Sequence, residues 1–179
     1  MNIISPPSPD PDELRDNAVF DAVMWAVARP GSKTRLPEPG GLLLIALAFV
    51  DMETRVYCDN ADLQDRLSYA DASHTLLSEA DHIFLTGSLT SPLVEAVPKG
   101  SALYPDGGAT VAIAVSLDGG NPLRLTGPGI EVAHNIAPAV STEIWATRAR
   151  AEYPAGFELI LVDGRDVIVL PRSTRVEVL

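Results

Sequence analysis

The sequence predicts a single α/β domain built on a mixed β-sheet, and three observations carry that prediction. Short apolar runs of strand character, TRVYC, HIFLTG, TVAIAVSL, ELILV and DVIVL, are spread along the chain. Segments with helical spacing lie between them, the pattern of strands interleaved with helices. Two turn signals, Gly119-Gly120-Asn121-Pro122 before LRLT and Asp163-Gly164 between ELILV and DVIVL, read as hairpins. A sheet containing hairpins cannot be wholly parallel. At 179 residues and 19.0 kDa the chain is long enough for one substantial core.

The elements follow in order. Met1 to Pro9 is rich in proline and serine and reads as a flexible arm, residues 1–9, ahead of one domain over residues 10–179. Asp10 suits an N-cap, with Pro11 at the first helical position and Glu13 placed to reach back. Leu14, Ala18, Val19, Ala22, Val23, Ala26 and Val27 recur at helical spacing, so the first helix runs to about Ala28, and Arg29-Pro30-Gly31 ends it. LLLIALAFV, Leu42 to Val50, is apolar all round; dominance of Leu and Ala over β-branched residues favours a buried helix over a buried strand. Thr54 to Cys58 reads as a strand, and Asp59 or Asn60 as the cap of a helix carrying Leu63, Leu67 and Ala70.

His82 to Gly87 is the next strand, and Ser91 or Pro92 opens a short helix closed by Pro98-Lys99-Gly100. Thr110 to Leu117 reads as a strand buried on both faces. Pro138 or Ser141 begins a helix containing Ile144, Trp145 and Arg148. The Asp163-Gly164 hairpin follows, then the tail Arg172-Ser173-Thr174-Arg175.

Composition narrows the partners. A formal net charge of −11 argues against nucleic acid and against an anionic membrane as partners, since both are bound by basic faces. The longest apolar run falls far short of the roughly twenty residues a membrane helix needs. The start MNIISPPSPDPDEL has neither a basic nor an apolar leader region, so no signal peptide is expected and a cytoplasmic location is. Cys58 is the sole cysteine, which excludes an intramolecular disulfide, a CxxC metal site and an iron–sulfur cage.

Candidate chemistry centres on cations. The only lysines, Lys33 and Lys99, lie in proline- or glycine-rich connectors that do not look rigid, so a Schiff base with pyridoxal phosphate is not expected; the other basic residues are eleven arginines. Arg172-Ser173-Thr174-Arg175 is the leading anion-binding segment, because forked guanidinium groups suit phosphate. If the segment is extended, Arg172 and Thr174 share one face and Ser173 and Arg175 the other, so both arginines converge only if Pro171 introduces a bend. A charged, proline-blunted edge strand is the plainer reading. Arg124, Thr126 and the turn Gly127-Pro128-Gly129 form a second candidate, whose backbone N–H groups can face an anion; the turn lacks a nucleotide-loop pattern, and a plain tight turn is the simpler reading.

His74, His82 and His134 include no i,i+4 pair, so no metal site is expected. Asp51 with Glu53 and Asp163 with Asp166 read as solvated carboxylates, and Ser88 and Ser91 lack a nucleophile elbow. Trp25 lies off the Val19–Val23 stripe and, with Met24, suits an oligomer contact.

Four segments in fixed order, GGATVAIAVSL, LRLTGPGI, YPAGFELILVDG and LPRSTRVEV, resemble the H subunit family of the bacterial phosphonate carbon–phosphorus lyase system, PhnH. FDAVMWAVARPG, VDMETRVYC and ADHIFLTG are weaker markers of the same resemblance, which extends from the first helix onward. One departure is Asp21 after Phe20, where a basic residue is expected. The resemblance implies a three-layer α/β/α fold, similar to a reduced form of the pyridoxal-phosphate-dependent transferases but without the cofactor. It implies a homodimer that joins G, I and J subunits in a core complex, with no chemistry assigned to the H chain alone. With an L subunit, that system displaces adenine from ATP by an alkylphosphonate, giving a ribose 1-phosphonate 5-triphosphate. The later radical step needs an iron–sulfur subunit, which a chain with one cysteine is not.

The expected role is therefore an accessory subunit in phosphonate catabolism, with no cofactor of its own. Arg124, Thr126, Arg172, Ser173 and Arg175 are the expected anion-binding residues, for a phosphonate or nucleotide ligand. The competing readings are an independent enzyme acting on a phosphorylated metabolite and a stand-alone homodimeric binding protein.

Overall fold

A computed structural model describes residues 8–69 and 72–179. The expected arm over residues 1–9 thus lies largely outside the described residues, as does Ala70 of the third helix.

Helix α1 spans Pro11–Ala28. Asp10 caps it through its carboxylate, which accepts from the Glu13 N–H at 2.9 Å, while Glu13 accepts from the Asp10 N–H at 2.8 Å. Both otherwise orphaned donors of the first turn are satisfied by this reciprocal pair. Val19, Val23 and Ala26 are buried, but Leu14, expected on the inner stripe, is 56% exposed, and Ala18 is exposed too. Only the second half of α1 lies over the sheet. Trp25 points outward, as its offset from the stripe predicts, and carries the Arg29 guanidinium 4.6 Å over its ring.

Strand β1 (Thr34–Arg35), helix α2 (Leu42–Phe49), strand β2 (Arg55–Cys58), helix α3 (Ala61–Ser68) and strand β3 (Ser73–His74) follow. The all-apolar run is the helix expected, with Leu42, Leu44, Ile45 and Ala46 buried. Asn60 is the cap of α3, accepting from the Leu63 N–H at 3.0 Å. Then come β4 (His82–Leu85), α4 (Ser91–Ala96), β5 (Thr110–Ala114), β6 (Leu123–Thr126), β7 (His134–Ile136), α5 (Glu143–Arg148), β8 (Glu158–Asp163), β9 (Asp166–Leu170) and β10 (Arg175–Val178).

Seven strands form one mixed sheet in the order β1-β9-β8-β5-β4-β2-β3. The pairs β3–β2, β2–β4, β4–β5 and β5–β8 are parallel, whereas β8–β9 and β9–β1 are antiparallel. The β8–β9 hairpin turns through Gly164 at φ +59°, with Asp163 paired to Asp166, as the Asp-Gly signal predicts.

Alternate side chains of the central strands feed two cores. Phe84, Ala112, Ile160, Val162, Val167 and Val169 meet α1, α2 and α3 on one face. Ile83, Leu85, Val111, Ile113, Leu159, Leu161, Ile168 and Leu170 face α4, α5 and a second sheet on the other. That second sheet has three antiparallel strands in the order β10-β6-β7.

Here the structure corrects the sequence reading. LRLT does not form a hairpin with TVAIAVSL: β5 is already flanked by β4 and β8, so it has no free edge to offer. Strand β6 instead pairs with the carboxy-terminal strand, Thr126 opposite Arg175 and Arg124 opposite Glu177. The strand expected to reach Leu117 stops at Ala114, although the Val115 N–H still donates to the Val162 carbonyl at 2.9 Å. Helix α5 begins at Glu143 rather than at Pro138 or Ser141. The segment before it is tied to another loop, with the Gly120 N–H donating to the Ala137 carbonyl and the Ala139 N–H to the Ser116 carbonyl.

Candidate anion-binding site

The tail after β9 is not extended. The Thr174 N–H donates to the Pro171 carbonyl at 2.8 Å, closing a turn over Pro171–Thr174. This is the bend that allows Arg172 and Arg175 to serve one site. A cavity of about 910 Å³ lies between this turn, the end of α5 and the Gly127-Pro128 corner. Thr126, Arg172, Ser173 and Arg175 line it, four of the five residues expected from sequence. Arg124 does not. It shares the outer face of β6 with Thr126 but sits one pleat away, opposite Glu177, while Leu123 and Leu125 point into the core.

Gly127 shapes the corner. Its φ of +134° suits glycine, and a Cβ there would stand 2.8 Å from the Ser173 carbonyl oxygen. The two turns flanking the cavity therefore touch backbone to backbone.

The arginines are held differently. Arg172 is clamped to the start of β8: its main-chain N–H and its Nε donate to the Glu158 carboxylate at 2.7 and 2.5 Å, and Nη1 donates to the Pro105 carbonyl. Gly108 leaves room for that guanidinium, since a Cβ on it would lie 3.0 Å from Arg172 Nη1. Arg175, at the start of the edge strand β10, is exposed.

Sequence reasoning placed Arg148 in a helix but assigned it no role. It lines the same cavity and is 9% exposed. Nη1 donates to the Thr174 carbonyl at 3.1 Å, and Nη2 to the Leu170 and Pro171 carbonyls at 3.0 and 2.7 Å. Its guanidinium also lies 5.6 Å from the Phe157 ring centre. Burial pushes this guanidinium down to about 10, the nearby Glu158 charge opposing the fall, so it remains a cation at neutral pH. Among the described residues, the buried side-chain polar atoms without a hydrogen-bond partner are Arg148 Nε and Thr174 Oγ1, and both residues line this cavity.

The wall thus carries Arg148, Arg172 and Arg175 against Glu152, in a chain whose net charge is −11. Trp145, Tyr153, Pro128 and Val176 supply apolar surface beside them. Such a site can hold an anion with an organic body.

The lysines are occupied elsewhere. Lys33 pairs with Asp118 at 2.8 Å. Lys99, in a connector expected to be loose, is held fast: its ammonium donates to the carbonyls of Val94, Glu95 and Val97 at 2.8 to 2.9 Å, covering the end of α4. The histidines stand apart, with His74 at 3.1 Å from Ser68 Oγ and His82 between Phe49 and Phe84. No helix among the described residues is long and apolar enough to cross a membrane.

The profile of the bacterial phosphonate metabolism protein family PhnH matches residues 11–177. A protein of Stutzerimonas stutzeri named as a candidate C–P lyase subunit, HtxG, is 34% identical over 173 residues, covering 90% of this chain and 86% of that protein. The alpha-D-ribose 1-methylphosphonate 5-triphosphate synthase subunit PhnH of Rhizobium meliloti (strain 1021) is 32% identical over 179 residues, covering 89% of each.

Proposed function

This chain belongs to the bacterial phosphonate metabolism protein family PhnH, and from that premise we propose that it is an accessory subunit of a carbon–phosphorus lyase core complex. The observation that carries the reading is the extent of the match, which runs from the first residue of α1 into β10. In this role the chain works in organic phosphonate catabolism beside G-, I- and J-type subunits, in the assembly that joins an alkylphosphonate to the ribose of ATP. The chemistry of that transfer is assigned to the assembly and not to this chain alone. Use of ATP in that step fits a cytoplasmic location.

Several finer points belong to the same reading. Residues 10–179 act as one domain, which the two cores on opposite faces of one sheet support. The fold is a reduced, cofactor-free relative of the pyridoxal-phosphate-dependent transferases. In favour of this are the mixed sheet covered on both faces and the engagement of Lys33 and Lys99 in other contacts. Its second cover is part helix and part sheet. A homodimer is supported by Phe20, Met24 and Trp25, all at least 43% exposed on α1. Thr126, Arg172, Ser173 and Arg175 contribute an anion-binding wall for a phosphonate or nucleotide, with Arg124 at its margin.

A tagged chain purified from cells growing on methylphosphonate as the sole phosphorus source tests the subunit reading. G-, I- and J-type subunits in fixed proportion in the eluate are the expected result. Recovery of the chain alone overturns the reading. Turnover by that isolated protein then points to an independent enzyme, and a ligand-dependent melting shift without turnover to a stand-alone binding protein.

A further inference from the structure

We propose that the cavity between α5 and the Pro171–Thr174 turn binds an organic phosphoryl or phosphonyl anion, with Arg148 and Thr174 at its floor and Arg175 at its rim. The inference rests on the anion-binding reading above, adds Arg148, which neither the sequence nor the family match assigns, and gives Thr174 a specific place in the site.

The first argument is an imbalance of hydrogen bonds. A guanidinium carries five N–H donors. Arg148 places three of them on the carbonyls of Leu170, Pro171 and Thr174, which are neutral acceptors, and Nε has none. No carboxylate lies within ion-pair distance of it among the described residues, although it is 9% exposed. A buried cation whose direct contacts are all neutral, with the Glu158 charge acting only from beyond ion-pair distance, is costly unless an anion joins it. The unpartnered Oγ1 of Thr174, a residue 3% exposed, stands on the same wall. Both atoms have almost no accessible surface, so an oxyanion at this floor supplies acceptors for both once the two side chains turn slightly toward it.

The second argument is how the floor is held. The same three carbonyl bonds fix the Pro171–Thr174 turn, so Arg148 sets the position of Ser173 and Arg175 before any ligand arrives. Pre-set donors lose little freedom on binding.

The third argument is size and lining. A volume of about 910 Å³ is at the upper end of organic-ligand pockets and far exceeds one phosphate group. Trp145, Tyr153 and Val176 offer apolar contact beside the cations, so the ligand is an anionic head on an organic body. Arg172 belongs to the wall, but Glu158 already neutralises it. The net attraction therefore comes from Arg148 and Arg175, less the opposing charge of Glu152 on the same wall.

Calorimetric titration of the purified full chain with inorganic phosphate, methylphosphonate and ATP tests this, with thermal melting of each variant alongside. At least one organic anion should bind more tightly than inorganic phosphate, and more weakly as salt is raised. Thr174→Val is the sharpest variant: it removes a hydroxyl that bonds nothing in the free protein, so the melting temperature should hold or rise while affinity falls about tenfold. Arg175→Gln should weaken binding without loss of stability, and Arg66→Gln, on α3 away from the cavity, should leave it unchanged. Absence of binding by all three probes overturns the proposal, and does so without touching the subunit reading, which co-purification decides. Tightest binding by inorganic phosphate overturns the organic-body assignment. Unchanged affinity in a folded Thr174→Val protein removes the floor from the site.

Discussion

The carboxylate of Glu158 receives both the main-chain N–H and the Nε of Arg172, at 2.7 and 2.5 Å, and so joins the first residue of β8 to the turn that follows β9. The side chains are 17% and 29% exposed for Arg172 and Glu158, so water screens the pair only in part. Glu158→Gln keeps the shape but removes the charge and turns an amide N–H toward a donor. The expected loss is about 1.5–3 kcal/mol of unfolding free energy in urea titration, the range for bonds to charged groups. A loss below about 0.5 kcal/mol would mean that the pair behaves as an exposed one.

Much of this was legible because it is local. The α1 capping box and the Asp163-Gly164 hairpin each lie within a few residues, and each forms as the local chemistry dictates. The partner of LRLT was not legible, because it depends on which strands already occupy the edges of β5, and β10 lies some fifty residues further on. The cavity was half legible. Arginines and hydroxyls in the tail were readable as anion donors, yet their convergence needed the turn at Pro171. Arg148 carried a signal that went unused: it stands four residues after the buried Ile144, on the inward face of α5, where an arginine demands an explanation. Its acceptors, 22 to 26 residues later, cannot be read from spacing.

Gly127→Ala tests the contact between the two turns. The substitution forces alanine to φ +134° and sets its methyl 2.8 Å from the Ser173 carbonyl oxygen, a backbone atom that cannot swing aside. A cost of about 1–3 kcal/mol is expected from the backbone strain. Ligand affinity should fall as well, because the shift moves Ser173. Stability equal to that of the parent would show that the loop relaxes freely.

Cys58 should be inert in the native protein. It is half-buried, and burial together with the charge of Asp59 pushes its thiol up to about 12, so almost no thiolate exists at neutral pH. Iodoacetamide at pH 7.5 should label it only after urea unfolding. Complete labelling of the folded chain within minutes would contradict this.

His82 should make stability fall on mild acidification. The ring lies between Phe49 and Phe84, with centroids 6.1 and 6.3 Å away, and burial lowers its pKa; Asp81 and Asp51 oppose the shift without cancelling it. A folded-state value below the unfolded imidazole value, about 6.5, means that in the interval between the two the unfolded chain binds a proton that the native chain refuses. Stability therefore rises with pH through that interval and is lost as the pH drops from neutrality into it. Acid loss from Asp81 begins lower: Arg55 holds that carboxyl below the usual carboxylate range, so its contribution disappears only as the pH falls under about 4. The two effects are thus separable. Urea midpoints measured from pH 7.5 to 5 should slope more steeply for the parent than for His82→Gln, which cannot titrate there. Parallel slopes would mean that the ring is protonated as readily inside the fold as outside it.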